Sequence, residues 1–131
     1  MIIYFGGIFN GKLETVLKDT NIDVYFDIKK DNINDLLNFK IINDLDAVIR
    51  ELMMCDIDPL TYIKKLDLKD KIIIFNINGN GVVPIEKFER EFRDNCGNVY
   101  KYLIANAKEV YKIIYGLKER LKWRIISKLM I

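Results

Sequence analysis

Histidine is absent from all 131 residues. That absence excludes Ser-His-Asp and Cys-His nucleophile arrangements, phosphohistidine and imidazole-ligated metals from anything these residues do. Cysteine is scarce too. Cys55 and Cys96 stand far apart in no metal-ligand spacing, so no zinc site is expected, and both read as reduced core thiols of a cytoplasmic protein. Charge of one sign is also lacking: 21 Lys plus Arg against 19 Asp plus Glu leave +2, too balanced to make nucleic acid a default partner. No apolar run approaches the roughly 18–20 residues of a membrane span. Met1 to Phe5 has no basic leader before it meets Gly6-Gly7, so no signal peptide is expected. What is present is a chain 50% hydrophobic and 31% charged, enough for a packed core and about one domain long.

Ile2-Ile3-Tyr4-Phe5 reads as a buried strand stopped by Gly6-Gly7. Leu13, Val16 and Leu17 then follow helical spacing. Val24 to Ile28 reads as a second strand, Lys29 to Asn38 as a polar loop with a short helical turn at Ile33 to Leu37, and Phe39 to Ile42 as a brief third strand. Asn43-Asp44 starts a helix with Leu45, Val48, Ile49, Leu52 and Met53 on one face, and Asp58-Pro59 opens another with Leu60, Ile63 and Leu66 inward. Lys71 to Ile77 holds four consecutive apolar residues, as in a parallel strand covered on both faces. After Pro84 the longest helix carries Ile85, Phe88, Phe92, Cys96, Val99 and Leu103 as a stripe facing the sheet. Gly97 interrupts it at a cost of about 1 kcal/mol, read as a close packing contact. Val110 to Tyr115 is a final strand, closed by Gly116. The alternation predicts an α/β fold of three layers (α/β/α) with a mainly parallel sheet, whose ligand sites lie at the carboxyl ends of the strands.

Four stretches have the residues for chemistry. Gly6-Gly7-Ile8-Phe9-Asn10-Gly11-Lys12 follows a strand and opens a helix, and Gly6-x4-Gly11-Lys12 fits a phosphate-binding loop. Leu13 replaces the hydroxyl residue that would bind Mg²⁺. The same residues also read as a tight glycine turn with a solvated lysine. Asn43-Asp44-Leu45-Asp46 follows a strand; Asp44 is a candidate for holding Mg²⁺, or simply a helix N-cap. Asn76, Asn78, Gly79 and Gly81 lie in a polar loop at the end of the best strand, placed to touch substrate or nucleotide, or only to turn. The tail after Gly116 has five basic residues against Glu119, with Leu117, Leu121, Ile125 and Leu129 every fourth position. It reads as a basic amphipathic helix lying on anionic lipid, on a partner helix, or docked on its own domain or a sister subunit. Residues 1–116 are thus expected to form one phosphate-loop-like domain and residues 117–131 a helical tail.

Gly6-Gly7-x3-Gly11-Lys12 taken with Asn76-x2-Gly79-x-Gly81-Val82-Val83-Pro84 resembles the bifunctional adenosylcobinamide kinase / adenosylcobinamide-phosphate guanylyltransferase family. Phe92-Arg93-Asp94-x2-Gly97, Leu103-x-Ala105-x-Ala107-x-Glu109-Val110 and Gly116 are similar to that family's C-terminal half in residue and order. The resemblance implies a phosphate-loop α/β domain assembled as a trimer, binding GTP or ATP and acting on a cobinamide-type substrate. It implies nucleotide contacts at Gly6, Gly7, Asn10, Gly11 and Lys12, and substrate or nucleotide contacts from Asn76 to Gly81. The family's guanylylated histidine has no counterpart here, Leu13 stands at the metal-binding hydroxyl, and Ile77 at a glutamate. The expectation is a cytoplasmic, homo-oligomeric nucleotide-binding protein of cobalamin biosynthesis. Guanylyltransferase chemistry would be lost and weak kinase activity retained, with no tightly bound cofactor beyond Mg²⁺ arriving with the nucleotide. The alternative is a catalytically inactive homologue acting as an interaction or regulatory partner.

Overall fold

The computed structural model describes residues 1–7, 10–77 and 84–123, Trp123 by its backbone alone. The elements run β1 (Ile2–Gly6), α1 (Lys12–Thr20), a short 3-10 helix (Ile33–Asn38), β2 (Ile41–Ile42), α2 (Leu45–Met54), α3 (Pro59–Lys64), β3 (Ile72–Asn76), α4 (Lys87–Asn106), β4 (Glu109–Ile114) and β5 (Leu117–Trp123). Among the described residues five strands make one sheet in the order β2-β3-β1-β4-β5, parallel except for the β4–β5 pair. This is the three-layer α/β fold the sequence predicts.

The apolar runs explain the layering. Alternate residues of β1 and β3 point to opposite faces, so Ile3, Phe5, Ile73 and Phe75 join the core under α2, α3 and α4, while Tyr4 and Ile74 pack with Val16 of α1 on the other face. Phe5 and Phe75 stack across the β1–β3 pair at 5.8 Å, and Tyr4 stacks on Tyr111 of β4 at 5.0 Å. The register sets Gly6 beside both Asn76 and Ile113, so β1, β3 and β4 end level. No helix among the described residues is long and apolar enough to cross a membrane.

Several expectations need correcting. Val24 to Ile28 is not a strand: Phe26 alone bridges Ile42, its N–H donating to the Ile41 carbonyl at 2.8 Å. Ile85 is 94% exposed, because α4 begins only at Lys87 and the stripe starts later, at Phe92. Cys55 is exposed, beyond the end of α2; Cys96 alone is a core thiol. Leu117–Trp123 is a strand, not the start of a helix. Tyr115 (φ 48°) and Gly116 (φ 78°) both adopt the left-handed conformation. Two such residues in succession form the hairpin turn whose twist matches antiparallel strands, so the chain folds straight back along β4. The expected tail from 124 to 131 lies outside the described residues.

Candidate phosphate-loop site

Three segments converge at the carboxyl end of the sheet. β1 delivers Gly6 and Gly7; the chain returns through Asn10 and Gly11 into α1. Gly6 is a steric requirement, since a Cβ there would sit 2.4 Å from the Ile113 carbonyl oxygen. Gly11 caps α1 at φ 77°, a conformation that glycine adopts without strain. The Asn10 carbonyl accepts from the Gly116 N–H at 2.9 Å, which ties this loop to the β4–β5 turn.

Lys12 opens α1 and is only 8% exposed, the one charged side chain buried among the described residues. Its Nζ donates to the Gly7 carbonyl oxygen at 2.6 Å, so the lysine folds back over the loop rather than into solvent. Burial lowers its pKa, and the Asp46, Asp44 and Glu14 carboxylates pull the other way. The reading of Lys12 as a solvated surface lysine is therefore set aside. Leu13 supplies no oxygen, and the next hydroxyl along the helix, Thr15 Oγ1, is bonded to the Gly11 carbonyl at 2.7 Å.

The second segment is the β2–α2 junction. Asp44 sits at the N-cap position of α2, but at φ 56°, ψ 55° its side chain makes no capping bond. It turns instead towards β3, where the third segment ends. Asn76 donates through Nδ2 to Asp46 Oδ2 at 3.1 Å and Asp44 Oδ1 at 3.4 Å, and through its backbone N–H to Asp46 Oδ1 at 3.2 Å. One asparagine thus clamps two carboxylates. Burial, then the Asp46 charge and a hydrogen bond between the two carboxyl groups, push Asp44 up to about 6. Asp46 entered the sequence reading only as a neighbour of Asp44; its place two residues on, in the first turn of a helix whose cap is left-handed, brings both carboxylates to β3.

Gly11, Lys12, Leu13, Asn43, Asp44 and Asn76 line a cavity of about 410 Å³. It has the parts of an anion site: a buried ammonium, a helix N-terminus and a glycine loop. An ion such as Mg²⁺ carried in with a nucleotide would find no oxygen on Leu13, and Asp44, the candidate carboxylate on this wall, already accepts from Asn76. Asn78, Gly79 and Gly81 lie outside the described residues.

Comparison with known proteins gives two results. The family model described as cobinamide kinase / cobinamide phosphate guanyltransferase matches residues 30–121, which takes in the two carboxylates, β3 and α4 but not the Gly6–Lys12 loop. The bifunctional adenosylcobalamin biosynthesis protein CobU of Escherichia coli (strain K12) is 35% identical over 51 residues, covering 39% of this chain and only 28% of that protein's length. On the extent of the first match, the chain belongs to the cobinamide kinase / cobinamide phosphate guanyltransferase family.

Proposed function

We propose that this protein binds the phosphates of GTP or ATP in the cavity headed by Lys12 and retains a weak kinase activity of the cobinamide-kinase type. The observation that carries the reading is the buried Lys12 ammonium on an open cavity that Asp44 also lines. Family membership supports a nucleotide and a cobinamide-type alcohol as the reactants. On binding, Lys12 Nζ would leave the Gly7 carbonyl for the terminal phosphates, and the backbone N–H groups at the start of α1 would cradle them. Asp44, with a pKa of about 6, is ionised at pH 7 yet basic enough to take the proton of the acceptor hydroxyl as its oxygen attacks phosphorus. The charge on the leaving diphosphate would be met by Lys12.

Guanylyl transfer through histidine is no part of this reading, because the chain has no histidine. Radiolabelled GTP should therefore leave no acid-labile label on the denatured protein; stoichiometric label of that kind would contradict it. Assembly into a homo-oligomer in the cytoplasm completes the proposal, with the exposed Leu117 and Leu121 of β5 on its interface.

The direct experiment is titration of a fluorescent GTP analogue followed by phosphoryl transfer to adenosylcobinamide. Binding lost in Lys12→Ala, and turnover lowered about a hundredfold or more in Asp44→Asn with binding kept, is the expected result. Leu13 at the metal-binding position favours a second reading, an inactive homologue working through protein contacts. That reading gains if no nucleotide binds.

A further inference from the structure

A second cavity, of about 360 Å³, lies between α2 and α4 at the carboxyl end of β3, on the sheet face opposite α1. Its volume falls within the range of small-molecule sites, about 300–1,000 Å³. No described residue of the Gly6–Lys12 loop lines it, and most of its wall is apolar, from Ile77, Pro84 and Phe92 among others. Three features of this wall are not explained by the packing of the described residues.

The first is Tyr100. Its ring stacks on Phe75 at 3.8 Å and 6°, which fixes its direction, and its hydroxyl is buried with no hydrogen-bond partner of good geometry among the described residues. The polar neighbour there is the Cys96 thiol, a weak partner at best. A buried hydroxyl left unpaired is costly, and one in a cavity wall is ready to donate to an oxygen brought in from outside.

The second is Gly97, in the middle of α4. A Cβ built on it meets no atom of the described residues within 4 Å. Among the described residues the close packing contact expected from the sequence is not found; the glycine faces open space in the cavity wall. Glycine here weakens the helix relative to alanine and gains no contact in return.

The third is charge. Arg50 is held by Glu89 in a two-pronged pair at 2.7 and 3.2 Å, with its guanidinium 4.0 Å from the Phe92 ring centroid. Cys96, buried, remains a neutral thiol. With Arg50 neutralised by Glu89 over the Phe92 ring, and Arg93, the other arginine of the wall, itself engaged, the wall suits a flat, uncharged body.

We propose that this cavity binds an uncharged molecule with a flat apolar body and one carbonyl oxygen, the oxygen accepting from the Tyr100 hydroxyl and the body lying over Gly97 beside Phe92. Asn76 lines both cavities, so such a molecule lies next to the Asp44–Asp46 pair. On the function proposed above it would be the part of the second reactant nearest the phosphates; the binding itself does not depend on that reading.

The test is an NMR titration of the ¹⁵N-labelled full chain with benzamide, without nucleotide, so that its result is separate from whether a nucleotide binds. Toluene serves as the counterpart without oxygen and benzoate as the charged one. Benzamide should shift the amides of Asn76, Phe92, Cys96, Gly97 and Tyr100 saturably, with toluene and benzoate at least about fivefold weaker. Tyr100→Phe, which removes only the orphan hydroxyl, should weaken benzamide about fivefold without lowering Tm. Gly97→Ala should raise Tm yet weaken benzamide at least as much, a pairing that a merely structural glycine does not produce. Absence of saturable shifts at those amides overturns the proposal, as does equal binding in the two variants or a lowered Tm in Gly97→Ala.

Discussion

Lys12 and Asp44 are both taken out of water, with opposite consequences for their protons. Burial lowers the lysine and raises the carboxyl, so each is moved towards neutrality in a cavity where they face one another. For Asp44 the shift has a stability consequence. With a folded value of about 6 against 3.8 unfolded, the folded state binds more protons between these values, so stability falls as pH rises from about 4 to 6 and the penalty is complete above that window. Asp44→Asn removes the penalty. Thermal melts should show the variant more stable than the parent at pH 7.5, by about 1 kcal/mol after allowing for solvent screening of a half-buried group, or about 4 °C. At pH 4 the two should melt together. A variant less stable at pH 7.5 would mean that the clamp on Asn76, not the charge, dominates. At this scale the glycine-lysine motif was legible because its residue types are rare in that order. The Asp44 side chain was not: an aspartate before a helix reads equally as a cap, and only its left-handed backbone turns it to β3.

The hairpin that ends the described chain shows how one spacing supports two readings. Leu117 and Leu121 are four apart, which fits a helical face and also one side of a regular strand, though here the register skips Leu121 and breaks the alternation before it. Tyr115 and Gly116 decide between them by turning the chain, and a tyrosine at positive φ carries no sequence signal. From this strand the lysines reach the helices: Lys118 pairs with Asp19 of α1 at 2.9 Å, and Lys122 Nζ donates to the Ile104 and Ala105 carbonyls at the end of α4. The apolar runs of β1 and β3 were legible because length and composition leave no other use for them. Val24 to Ile28 was not, because β2 offers only two residues to pair with. Since the Gly116 N–H holds the Asn10 carbonyl, strain in the turn reaches the segment that leads into α1. Gly116→Ala, forced to keep a φ of 78°, should cost about 1–2 kcal/mol in a denaturant melt and weaken nucleotide binding. Unchanged stability would show that the turn is free to relax.

For the whole molecule, the sheet order places β3 between the loop strand β1 and the carboxylate strand β2, so Asn76 reaches both sides and two cavities share it. That arrangement depends on how α2 and α4 cross the sheet, which no local pattern in the sequence states. Leu117 and Leu121 remain 75% and 48% exposed on the edge strand, and light scattering should find the full chain larger than a monomer, with Leu117→Glu/Leu121→Glu shifted towards one. A monomeric parent would remove β5 from any interface. The central claim is that Lys12 heads a nucleotide site, and calorimetric titration of GTP and ATP into the parent and Lys12→Ala, each with excess Mg²⁺ and with chelator, tests it most directly. The account predicts measurable binding by the parent, weakened more than tenfold, about 1.4 kcal/mol, in Lys12→Ala, and changed by less than that between Mg²⁺ and chelator because Leu13 supplies no metal ligand. No heat from either nucleotide, or a Lys12→Ala titration that overlays the parent, would contradict it.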